Sequence, residues 1–164
     1  MKYLLCLIIL ISTAQASWRP PTFKSLLKHA NYIVIAEFNE VTKEYKDDYA
    51  QRQLVSFTIK QSLKGKLKGD IIVSGHKNNV CKPQYYFSNT PKQSYLLFIY
   101  GDNKDLQICS GKFGALEIKK DSVKWFKDPQ ERSWFQVTSP LSKVLQEIKD
   151  ELKNQEASKD KTAR

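Results

Sequence analysis

Leu54-Val-Ser-Phe-Thr-Ile-Lys-Gln61 sets Val55, Phe57 and Ile59 on one side of an extended chain and Ser56, Thr58 and Lys60 on the other. A period of two, with branched and aromatic residues on the apolar side, marks a half-buried antiparallel strand. The neighbouring segments follow suit. Upstream, Tyr32-Ile-Val-Ile-Ala-Glu-Phe-Asn-Glu-Val41 is rich in β-formers and reads as a first, long strand, with the polar stretch Thr42 to Arg52 as a loop or ragged strand end. Downstream, Leu63 to Asp70 is a connection punctuated by Gly65 and Gly69. Ile71 to Ser74 reads as a third strand, and Gly75 to Pro83 as turn-like. Ser94-Tyr-Leu-Leu-Phe-Ile-Tyr100 is the strongest strand of the chain, and Gly101 to Asp105 turns it into Leu106-Gln-Ile-Cys109. Ser110 to Gly114 then leads to two shorter strands near Ala115–Ile118 and Val123–Phe126.

About six short strands with no long helix between them point to a mainly β fold, a small antiparallel barrel or sandwich. Two helices flank it. Thr22 is placed to cap a short one over Phe23–Ala30, with Phe23, Leu26, Leu27 and Ala30 at helical spacing. At the other end Ser139 reads as a cap with Pro140 in the first helical position. The stripe Leu141, Val144, Leu145, Ile148, Leu152 is suited to packing on the barrel. A membrane-surface role suits this helix less well, because its polar face mixes Glu147, Asp150 and Glu151 with Lys143, Lys149 and Lys153. Asn154–Arg164 has almost no apolar content and is expected to be a disordered basic tail.

Residues 1–16 carry Lys2, an apolar run from Tyr3 to Ile11 and the small-x-small exit Ala14-Gln15-Ala16, the layout of a cleaved secretory signal. The run is short of the roughly 20 residues that span a bilayer, and no other stretch of the chain approaches that length. Cys6 comes too early, after bulky Leu4 and Leu5, for a lipoprotein site. The expectation is a secreted or periplasmic chain starting at Ser17, about 148 residues long, with one domain over 17–153 ahead of the tail. Two of the three cysteines, Cys81 and Cys109, then remain in an oxidising compartment, and a disulfide between them is the default expectation rather than a reactive thiol. Closing that loop contributes roughly 3–4 kcal/mol in the chain-entropy account.

The 27 Lys and Arg against 17 Asp and Glu leave a formal charge of +10, about +9 without the leader. Such an excess suits an anionic partner. It also keeps an aromatic-rich exported domain soluble, and the scatter of lysines along the whole chain favours that plainer account.

Little in the chain suggests catalysis. His29 and His76 are the only histidines and lie in different elements, where a catalytic zinc needs three ligands at recognisable spacing. Asp102-Asn-Lys-Asp105 departs from the calcium-loop pattern. There is no Gly-x-Ser-x-Gly elbow, and Gly65-Lys-Leu-Lys-Gly69 lacks the spacing and hydroxyl of a phosphate-binding loop. Neither a metal nor a cofactor is expected. Lys60, Lys64, Lys66 and Lys68 cluster around one connection, and Tyr85 and Tyr86 supply rings in the loop Lys82–Phe87. Single-strand binders interleave charge with stacking rings. Here the two groups are separate in sequence, so nucleic acid is not the expected partner.

The order of features resembles bacterial exported proteins with a netrin-like or TIMP-like OB barrel. It is carried by the leader, the Pro-rich start, Leu26-Leu-Lys-His-Ala30, Tyr32-Ile-Val-Ile-Ala36, Ser62-Leu-Lys-Gly65, Cys81, Tyr95-Leu-Leu-Phe98 and Cys109-Ser-Gly111. The resemblance spans about Thr22 to Phe126. It implies a five-stranded Greek-key barrel carrying helices, with Cys81 and Cys109 as its disulfide. In the metalloproteinase-inhibitor branch an N-terminal cysteine presents its amine and carbonyl to the target's zinc. Here the expected first residue is Ser17, and no cysteine follows it until Cys81.

The combined expectation is a non-enzymatic module that binds an unknown protein or anionic surface through the Lys60–Lys68 connection and the Cys81–Phe87 loop. The alternatives are an exported hydrolase such as a nuclease, for which Glu37, Glu40 and Arg52 are the nearest candidates, and a protease inhibitor without the N-terminal cysteine mechanism.

Overall fold

The computed structural model describes residues 21–46, 50–79, 90–102, 105–110, 113–126 and 136–162. Cys81, Tyr85, Tyr86 and the leader 1–16 lie outside the described residues. The elements run α1 (Phe23–His29), β1 (Tyr32–Lys46), β2 (Ala50–Lys64), β3 (Asp70–Asn79), β4 (Ser94–Tyr100), β5 (Gln107–Ile108), β6 (Ala115–Lys119), β7 (Ser122–Phe126), β8 (Gln136–Pro140) and α2 (Leu141–Thr162).

Five strands close on themselves in the order β1-β2-β3-β5-β4, with β4 returning to β1 through pairs such as Val34↔Leu97 and Ala36↔Tyr95. Among the described strands only β3 and β5 pair in parallel, meeting at Ser74↔Gln107. The result is a small OB-type barrel. β4 divides its second edge between two partners: Ile99 and Tyr100 pair with β5, whereas Tyr95, Leu96 and Leu97 pair with β6. From β6 the chain continues as the meander β6-β7-β8. The β6–β7 turn, Lys120-Asp121, has φ of 47° and 55°, the double left-handed geometry of a tight hairpin.

The continuous apolar run of β4 has a direct cause. Tyr95, Leu97 and Ile99 point into the barrel with Val34, Phe57 and Val73, and Phe57 meets Phe38 and Tyr95 edge-on. Leu96 and Phe98 point outward into a second core made with Leu26, Leu27, Val144 and Ile148 of the two helices. Buried on both faces, β4 has no exposed position until Tyr100.

Thr22 does cap α1, its hydroxyl accepting from the Ser25 N–H at 3.0 Å. The start of α2 differs from expectation. Pro140 ends β8 opposite Ser122, and the Ser139 hydroxyl accepts from the Trp125 indole at 2.9 Å. The first amide of α2, that of Leu141, donates instead to the carbonyl of Asp121 in the β6–β7 turn at 2.8 Å. Serine followed by proline fits a strand end as well as a helix start.

Two further boundaries move. Over Thr42–Arg52, expected as a loop or ragged strand end, β1 and β2 continue as paired strands with Val41↔Val55, Glu44↔Gln53 and Tyr45↔Arg52, and β3 continues from Gly75 to Asn79. These extensions lie beyond the barrel, where main-chain pairing is retained but there is little core to impose an apolar alternation. The expected disordered tail from Asn154 is helical to Thr162, because Gln155, Glu156, Ala157 and the lysines are good helix formers that prolong an established helix at little cost. Bonds four residues apart, such as Gln155 to Glu151 and Ser158 to the Asn154 carbonyl, accompany that extension. Among the described residues no helix is long and apolar enough to cross a membrane.

Candidate binding groove

The β2–β3 connection is shaped by two glycines and one leucine. Gly65 has φ +73°, and a Cβ there would lie 2.4 Å from the Tyr32 ring, so only glycine lets the chain turn against β1. Its carbonyl accepts from the Ser62 hydroxyl at 3.0 Å. Gly69, at φ +69°, returns the chain to β3, and its carbonyl accepts from the Ile59 N–H at 2.9 Å. Between them Leu67 is buried in the barrel core. With Leu67 held inside, its neighbours Lys66 and Lys68 are exposed.

The four lysines of the expected basic cluster therefore have different roles. The Lys60 ammonium lies 3.3 Å from the Glu37 carboxylate. Lys64 donates to the Leu27 carbonyl of α1 at 2.8 Å, a structural contact. Lys66 and Lys68 line a groove of about 710 Å³ together with Leu54, Asp70, Ile72, Ser74, Asp105 and Leu106. Across the groove, the Asp70 carboxylate accepts from the Thr58 hydroxyl at 2.6 Å, and that hydroxyl accepts from the Asn39 amide at 3.1 Å. The Asp105 carboxylate accepts from Gln107 at 2.9 Å, and the Gln107 carbonyl accepts from the Tyr100 phenol at 2.5 Å. Partial burial, helped by the nearby Cys109 sulfur and Asp105 carboxylate and opposed by Arg52, pushes the Tyr100 phenol up, so it stays a donor at neutral pH.

Ile72, Ser74, Asp105 and Leu106 were missing from the sequence-based surface. Ile72 carried the one signal that could have found the groove: it is an isoleucine on the polar face of β3, between Asp70 and Ser74. It is 54% exposed.

The hydrolase candidates do not converge. Glu37 faces Thr58 on β2 while Arg52 faces Tyr45, so six strand positions, roughly 20 Å, separate them along β2. Glu37 is paired with Lys60, and Glu40 is exposed opposite Ser56. Among the described residues no group of three His, Cys, Asp or Glu side chains is placed to hold a metal ion.

Cys109 is 3% exposed, and its thiol is free in the structure. Burial pushes that thiol up to about 11 against a weaker opposing effect of the Lys64 ammonium, so it is protonated at neutral pH and a poor nucleophile. Cys81, its expected disulfide partner, lies outside the described residues, as do Tyr85 and Tyr86 of the expected contact loop.

No protein-family model matches the chain, and no curated protein matches its sequence.

Proposed function

We propose that this protein is a non-enzymatic binding module that holds an anionic partner, a protein or a charged surface, in the groove beside the β2–β3 connection. One observation carries the reading: burial of Leu67 fixes Lys66 and Lys68 on the rim of an open groove, whereas Lys60 and Lys64 are engaged with Glu37 and the Leu27 carbonyl. Rigid barrels commonly bind through their loops, and OB barrels in particular through the β2–β3 face and the β4–β5 loop, both of which contribute to this groove.

Export, the Cys81–Cys109 disulfide and a netrin-like or TIMP-like kinship belong to the same proposal. They are supported by the leader pattern, the two cysteines that remain after it, and the order of strand and cysteine motifs. The inhibitory mechanism of the metalloproteinase inhibitors is not part of it, since Ser17 takes the place of the N-terminal cysteine.

The test is salt elution from a sulfated matrix. Lys66→Glu combined with Lys68→Glu should elute at clearly lower salt than the wild type, and by more than Lys120→Glu combined with Lys124→Glu on the β6–β7 hairpin. Equal shifts for the two double variants would reduce the effect to net charge and defeat the assignment of the groove.

A further inference from the structure

We propose that the partner held in the groove is a protein segment carrying a basic side chain beside its acidic ones, and that Asp105 is the residue that selects it; this rests on the groove being the contact surface. The lining bears both signs of charge. Lys66 and Lys68 stand on the β2–β3 connection, Asp70 opens β3, and Asp105 stands on the turn before β5. Asp70 accepts from the Thr58 hydroxyl and Asp105 from the Gln107 amide, neutral donors that leave both carboxylates charged. None of these four residues takes part in an ion pair among the described residues. A uniformly anionic surface or polymer that meets the two lysines therefore meets two like charges as well, and like charges brought together in a contact oppose it. A polypeptide can present both signs within a few residues.

The position of Asp105 gives it the selective role. Asp70 shares a connection with Lys66 and Lys68, whereas Asp105 comes from the other loop. Ser74 and Gln107 pair in parallel, so two residues back along each segment Ile72 and Asp105 come level, and both line the groove. Ile72 is 54% exposed. A lysine or arginine seated there lays its aliphatic stem on Ile72 and brings its charge to Asp105. The turn fixes the acid in place. The Asp105 N–H donates to the Asp102 carboxylate at 3.1 Å and to the Asp102 carbonyl at 3.2 Å, and Gln107 holds the Asp105 side chain at 2.9 Å.

The experiment measures fluorescence anisotropy of the full chain with two labelled, capped hexapeptides, one of glutamate alone and one of three glutamates followed by three lysines. It compares the wild type with Asp105→Asn and Asp121→Asn. Asparagine keeps an acceptor for Gln107 and removes the charge, while Asp121→Asn makes the same change of net charge in the β6–β7 turn, away from the groove. The expected result is a change of opposite sign for the two peptides in Asp105→Asn. The mixed peptide should bind about two- to fivefold more weakly and hexaglutamate more tightly, each by more than in Asp121→Asn. A change in the same direction for both peptides, or one no larger than that of Asp121→Asn, would overturn the inference, as would no binding of the mixed peptide. In any of those cases, weaker hexaglutamate binding by Lys66→Glu/Lys68→Glu would leave the basic groove standing, so the two readings fail separately.

Discussion

The Lys64 ammonium sits 2.8 Å from the Leu27 carbonyl, so a strand lysine closes the C-terminal end of the helix that covers the barrel. The last carbonyls of a helix lack intrahelical partners and carry the negative end of its dipole. Lys64→Met keeps the aliphatic stem and removes the charge, and should cost about 1–2 kcal/mol in urea unfolding. Lys66→Met, on the exposed rim, should stay within about 0.5 kcal/mol. A matching loss for Lys66→Met would contradict the division of the basic cluster into a structural and a displayed half.

The two glycines of the connection should differ. Gly69→Ala meets open space and suffers only the left-handed backbone, a cost of about 1 kcal/mol. Gly65→Ala adds a collision with the Tyr32 ring and should be worse by roughly 1 kcal/mol or more. Thermal unfolding of the two variants side by side gives the comparison, and equal losses would mean that the Tyr32 ring yields freely.

In the reduced protein Cys109 makes stability depend on alkaline pH. Its folded pKa of about 11 lies above the ordinary 9.0. Its contribution is therefore complete below pH 9 and is lost as pH rises from 9 to 11, because the unfolded chain releases the proton first. The loss is on the order of 2 kcal/mol, and Cys109→Ala should flatten that part of the profile. An unchanged alkaline profile in the variant would place the dependence on other groups.

Parts of this architecture are legible in the sequence because burial writes a pattern. The alternation of Val55, Phe57 and Ile59, the unbroken apolar run of β4 and the stripe of α2 each record a buried face. The hairpin beyond Val41 leaves no such record, since its pairing is main-chain and its side chains are largely polar. The groove was half visible. Lys66 and Lys68 stand out as a cluster, but their separation from Lys60 and Lys64 depends on Glu37, which the β1–β2 pairing sets near Lys60, and on the Leu27 carbonyl of α1, which meets Lys64 only in the folded chain. Asp105 and Leu106 reach β3 by its parallel pairing with β5, a contact between segments more than thirty residues apart.

Export and the disulfide have a common test. Intact-mass spectrometry of the protein from its native fraction should show a chain starting at Ser17, with no alkylation before reduction and two sites after it. A chain that keeps residues 1–16, or that alkylates freely without reduction, would contradict both expectations.

The most direct test of the groove is an amide chemical-shift titration of the labelled protein with capped hexaglutamate. The largest shifts are predicted at Lys66, Leu67, Lys68 and Ile72, with Lys143, Lys149 and Lys153 of α2 little changed. Shifts concentrated on α2 or the β6–β7 hairpin, with the β2–β3 connection silent, would contradict the account.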